Sequence, residues 1–147
     1  MVYNIYKHWQ RRLVVLKNIL FVASESTPFI KTGGLADVVG SLPKCFDKKK
    51  YDVRVMIPKY ACIPDEWKNK MVYKTHFYID LAWRKQYVGI MELQYNGITF
   101  YFIDNEFYFA GPKPYGYIHE DIEKFAFFSK AALSALPLIG FKPDIVH

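Results

Sequence analysis

A chain of 147 residues, 52% hydrophobic and 23% charged, is long enough for one packed domain and too apolar for a disordered tail. Its formal charge of +6 suits an anionic partner, or simply a solvated basic surface built from runs such as Lys48-Lys49-Lys50 and Lys68-Asn69-Lys70. Two cysteines, Cys45 and Cys62, are too few for a disulfide framework and read as reduced thiols of a cytoplasmic protein.

Residues 1–24 imitate a secretory signal, with basic residues ahead of an apolar run. Lys17 and Asn18 interrupt that run, and its second half has a better use. Residues 1–16 therefore read as a leader of unassigned role ahead of a domain at 17–147. Nothing approaches the roughly 18 consecutive apolar residues of a membrane span.

Residues 18–24 form a near-continuous apolar run, the mark of a strand buried on both faces. Residues 35–46 place Leu35, Val38, Val39, Leu42 and Phe46 at helical spacing, with Pro43 predicting a kink or an early end. "DVRVMI", residues 52–57, is a second strand stopped by Pro58. Strand, glycine turn, helix and strand make a βαβ unit with a right-handed crossover. Residues 71–83 and 87–95 read as two strands around "WRKQ". Asn96-Gly97 then predicts a hairpin into a strand at 98–104.

An aromatic, glycine- and proline-rich loop follows at 105–121. The next helix is expected over 121–136, with Ile122, Phe125, Phe128, Ala132 and Leu136 on one side. "DIVH" at the end reads as another strand. An apolar, strand-like ending looks cut from a longer chain, because domain boundaries usually fall in polar linkers.

The turn between the first strand and the first helix, "SESTPFIKTGGL", carries Lys31, Gly33 and Gly34. In an open α/β sheet, ligands sit beyond the carboxyl ends of the strands. Paired glycines allow close backbone approach and unusual φ angles. A helix starting near Gly34 presents free N–H groups and the positive end of its dipole to an anion, and Lys31 adds a point charge. The stretch is neither a Walker loop nor a dinucleotide fingerprint. On spacing alone, a phosphate cradle and a plain structural turn both fit.

The same residues resemble the opening of bacterial glycogen synthases and plant starch synthases. The resemblance runs in order through Asn18–Glu25, Pro28-Phe29, Lys31–Val38, "DVRVMIPKY" (52–60), "FIDNEFYF" (102–109), "YGY" (115–117), "EKFAFFSKAAL" (123–133) and "KPDIVH" (142–147). It implies an α/β fold: a Rossmann-like, mostly parallel sheet with flanking helices and a β-hairpin excursion. That sheet would be the N-terminal, acceptor-side half of a two-domain GT-B fold. It further implies transfer of glucose from ADP-glucose to the non-reducing end of an α-1,4-glucan with retention, and no metal or further cofactor. A cytoplasmic location follows, or a plastid in a plant.

The resemblance places Lys31, Gly33 and Gly34 against the donor's phosphates. Asp37 reads either as favourable charge in a helix's first turn or as a cleft residue, and Glu25 likewise. Tyr108 and Tyr115 are the preferred acceptor contacts, because aromatic rings beside polar groups suit the apolar C–H faces of sugars. His119 reads as a helix-entry residue, and His8 and His76 have no constellation around them. His147 opens a segment that is incomplete here, so no catalytic role is given to it. The family's second domain supplies most of the nucleotide site, so this chain by itself is expected to be inactive. The alternative is a non-catalytic nucleotide- or glucan-binding domain. Cues for RNA- or DNA-binding modules are absent from the sequence, and neither nucleic acid nor membrane is expected as a partner.

Overall fold

The computed structural model describes residues 16–147, so the expectations for the leader and for His8 lie outside the described residues. In chain order the elements are β1 (Lys17–Val22), α1 (Gly34–Ser41), β2 (Tyr51–Pro58), α2 (Asp65–Lys68), β3 (Val72–Leu81), β4 (Arg84–Tyr95), β5 (Ile98–Asp104), α3 (Glu106–Phe109), α4 (Ile118–Ala135) and β6 (Ile145–Val146). They build one six-stranded sheet in the order β3-β4-β5-β2-β1-β6. Pairings among β6, β1, β2 and β5 are parallel, whereas β5–β4 and β4–β3 are antiparallel.

β1 behaves as its apolar run predicts. Ile19, Leu20 and Phe21 are buried, because parallel neighbours flank the strand and helices cover the faces. From β1 the chain steps one way through α1 to β2. Later it returns from β5 through α4 to β6, on the other side of β1. Right-handed crossovers running in opposite directions put their helices on opposite faces of the sheet. The order thus reverses at β1, and a crevice opens beyond its carboxyl end.

Three expectations need correction. Arg84, Lys85 and Gln86 are not in a loop: the hairpin turns on Ala82 and Trp83 alone, with Leu81 opposite Arg84, and it extends the main sheet. α1 ends at Ser41, and a 3₁₀ turn over Leu42–Cys45 takes up Pro43, as the proline suggests. Its inner face, however, is Ala36, Val39 and Gly40, while Leu35, Val38 and Leu42 are exposed. Small residues face inward because the helix lies against the backbone of Thr27.

α4 starts at Ile118, earlier than expected, and buries Phe127, Phe128, Ala131, Ala132 and Ala135. Ile122 is exposed, since the first turns of α4 rim a groove and do not cover the sheet. Asn96 and Gly97 both have positive φ, 50° and 73°, as a two-residue hairpin turn demands. No helix among the described residues is long and apolar enough to cross a membrane.

Candidate active-site crevice

The segment between β1 and α1 is a rigid platform. Phe29 and Ile30 donate backbone hydrogen bonds to the Ser26 carbonyl, closing a tight turn. The Phe29 ring is buried and meets Trp67, Tyr95, Phe100 and Phe102 at centroid distances of 4.8–5.7 Å, anchoring the turn in the core. Thr27 donates from both its N–H and its hydroxyl to the Ala36 carbonyl, at 3.0 and 3.2 Å, tying the turn to α1. A Cβ on Gly40 would stand 2.0 Å from Thr27 Oγ1 and 2.6 Å from the Thr27 carbonyl oxygen. Packing therefore demands glycine at position 40, which helical spacing does not flag because a glycine carries no apolar signal.

Gly33 and Gly34 differ. Gly33 is extended, with φ −155°, and Gly34 also lies outside the left-handed region, so unusual φ angles do not explain the pair. A Cβ on Gly33 would make ordinary contact with Glu25 at 3.8 Å, and one on Gly34 would project into open space. No side chain caps this end of α1. The first N–H groups of the helix and bare backbone face outward together, an arrangement that accepts an anion.

Lys31 stands beside this end. Its ammonium donates to both carboxylate oxygens of Asp37, at 2.9 and 2.7 Å. Both side chains are 54% exposed, so the pair is weak, at most about 1 kcal/mol, and open to exchange with another anion. Asp37 thus occupies the helix's first turn and holds the lysine at once. Glu25 does not open onto the crevice: it is 2% exposed and accepts from the Thr32 N–H and hydroxyl. A buried carboxylate with charge-assisted hydrogen bonds fixes the loop that carries Lys31 and Gly33.

The aromatic loop folds back to the same end of the sheet. Tyr115 and Ser24, just past β1, share a hydroxyl–hydroxyl hydrogen bond of 2.6 Å. Asp121 accepts from the Gly116 N–H at 2.9 Å and from Lys124 Nζ at 2.6 Å, and Lys124 also donates to the Pro114 carbonyl. Burial pushes the Asp121 carboxyl up, but Lys124 and the Gly116 N–H outweigh it and hold the group below its ordinary value.

Tyr108 is buried in α3. Its hydroxyl donates to Glu123 at 2.7 Å and its ring stacks on Phe127 at 4.5 Å. Burial first, then Glu123, pushes its hydroxyl up to about 12. Arg84 at the hairpin tip also pairs with Glu123, fastening β4 to α4. Tyr108, Tyr115, Phe107, Tyr117, Lys113 and Glu123 line a groove of about 540 Å³. Tyr108 is 8% exposed and Tyr115 38%, so Tyr115 is the more open of the two.

Among the predicted site residues, the structure joins Lys31 to Asp37, sets Glu25 behind Gly33, and brings Tyr115 to the end of β1. His147 extends β6, bonded through its backbone to β1, and its ring lies 4.8 Å from Phe21. His119 is exposed in the first turn of α4, as read. His76 is not isolated: its Nδ1 lies 2.6 Å from the Tyr73 hydroxyl.

The sequence model of the starch synthase catalytic domain family matches residues 18–147. The glycogen synthase of Lachnospira eligens is 78% identical over 132 residues, which are 90% of this chain and 28% of that protein. The glycogen synthase of Lachnoclostridium phytofermentans is 67% identical over the same lengths and shares. Among solved structures, the catalytic domain of starch synthase IV from Arabidopsis thaliana, bound to ADP and acarbose, superposes with a TM-score of 0.70 at 28% identity. The match covers 90% of this chain and 27% of that one. The chain thus spans somewhat over a quarter of the length of these relatives.

Proposed function

Because the chain belongs to the starch synthase catalytic domain family, we propose that it is the acceptor-side part of an ADP-glucose-dependent glycogen synthase. The whole enzyme transfers glucose to the non-reducing end of an α-1,4-glucan with retention. In this reading the end of α1 receives the donor's diphosphate. The Gly33 and Gly34 backbone approaches the phosphate oxygens, and Lys31 exchanges Asp37 for them. Asp37 keeps the ammonium in place while the crevice is empty. As the glucosyl bond breaks, the departing ADP gains negative charge. Preorganised N–H groups and an ammonium stabilise that charge without reorganising.

Tyr115 and the groove beside it take the acceptor glucan, with Tyr108 as a partly covered wall. The remaining machinery lies in parts of the relatives that this chain does not span. The enzyme works in the cytoplasm, needs no metal, and the 147-residue chain by itself does not turn over.

The observation that carries this reading is the bare glycine pair. Neither backbone geometry nor internal packing requires glycine at 33 and 34, and both sit at an uncapped helix end beside a lysine. The relative bound to ADP and acarbose supports the same pairing of nucleotide and glucan. The test is an amide chemical-shift titration of the chain with ADP and with inorganic pyrophosphate. Both should move the amides of residues 32–35, and adenosine should not. Amides that stay still, or that move only elsewhere, would refute the placement.

A further inference from the structure

One surface away from the crevice is built of rings. Tyr78 faces Tyr87 and His76 faces Gly89 across the β3–β4 hairpin, so these residues share one face of the sheet. It is the face on which Phe29 packs, since Met91 lies opposite both Tyr73 and Phe102. Tyr73, Tyr78, Tyr87 and His76 are exposed there. They are not scattered. His76 stacks on Tyr87 with centroids 5.7 Å apart and planes 26° from parallel. Tyr78 meets Tyr87 edge-on at 5.9 Å, and the Tyr73 hydroxyl holds the His76 ring at 2.6 Å. Gly89 makes room for the arrangement, because a Cβ there would stand 2.8 Å from the Tyr87 hydroxyl oxygen.

We propose that Tyr73, His76, Tyr78 and Tyr87 form a second binding platform, for a neutral α-glucan chain. The inference rests on the glucan reading above. The rings offer flat apolar area rimmed by hydroxyls, which matches a sugar's C–H faces and its hydroxyl edges. Of the two lysines near the rings, Lys59 pairs with Asp104 at 3.2 Å, and Lys85 holds its ammonium 5.4 Å from the centre of the Tyr78 ring. A polyanion finds no unpaired basic stripe here, so a nucleic acid is disfavoured.

The platform lies three to four strands from β1, about 14–19 Å at about 4.8 Å per strand. A polymer held there keeps its other chain ends near the crevice. This raises avidity for glycogen without improving binding of a short oligosaccharide.

The test is native electrophoresis of the 147-residue chain in gels cast with and without glycogen. Four proteins are compared: wild type, Tyr78→Ala, Tyr78→Ala/Tyr87→Ala and Tyr115→Ala. Glycogen should retard the wild type, and the double variant should need about tenfold more for the same retardation, as lost ring stacking implies. Tyr78→Ala should lie between them, with an unchanged melting temperature because its side chain is 54% exposed. Equal retardation of wild type and double variant, or none of the wild type, would overturn the proposal. So would loss of retardation in Tyr115→Ala alone, or retardation abolished by single-stranded RNA. The crevice reading stands or falls separately, on the amides of residues 32–35.

Discussion

Two glycine sites in one stretch of chain answer to different masters. At Gly40 the neighbour is the protein itself: Thr27 fills the space that a methyl group would need. At Gly34 there is no neighbour, and at Gly33 only an ordinary contact, yet both positions end bare. The first glycine is explained by folding; nothing in the fold requires the second pair. In the proposed reading, the pair at the uncapped helix end is left bare for the donor's diphosphate.

Gly40→Ala should have the largest effect. A 2.0 Å approach to a side-chain oxygen, backed by a backbone oxygen at 2.6 Å, forces α1 off the loop. Overpacking of this kind costs about 1–3 kcal/mol or more and should lower the thermal midpoint by several degrees. An unchanged midpoint would erase the contrast. Lys31→Ala comes next. It should weaken pyrophosphate binding about tenfold or more, as loss of a charged hydrogen bond of about 1.5–3 kcal/mol implies. Stability should move by less than about 1 kcal/mol, since its ion pair with Asp37 is half exposed.

Gly34→Ala sharpens the comparison most directly. Alanine meets nothing there and is the better helix former, so the chain should become more stable by about 0.4–1 kcal/mol. Pyrophosphate should bind more weakly all the same. Gain of stability with unchanged binding would make the pair a mere turn.

The smallest expected effect concerns the loop that carries Tyr115. Asp121 has its carboxyl held below the ordinary 3.8 by Lys124 and the Gly116 N–H. A depressed carboxyl stabilises the fold above its unfolded-state value and stops doing so as pH falls through the folded one. Asp121→Asn should therefore lower stability at pH 7 by about 1 kcal/mol or less. The difference from wild type should fade as pH falls through and below the ordinary carboxylate range, as denaturant midpoints measured across pH would show. A difference that persists there would assign the loss to packing.

Some of this was legible in the chain before any fold. Ile19–Phe21 are strand-forming and buried on both faces, so an unbroken apolar run announces them. Asn96-Gly97 announces its turn because positive φ is a property of single residues. The position of Lys31 and its glycines at a strand's carboxyl end follows from local order along the chain. Everything that depended on a partner distant in sequence stayed hidden. Helical spacing put Leu35 and Val38 inside, whereas the approach of Thr27 turned Ala36 and Gly40 inward. Glu25 read as a cleft carboxylate until Thr32 was seen to cover it. His76 read as alone until the hairpin register laid it on Tyr87. Local chemistry determines which residues bend, extend or bear charge; only tertiary packing decides which of them are used up by one another and which are left free for a ligand.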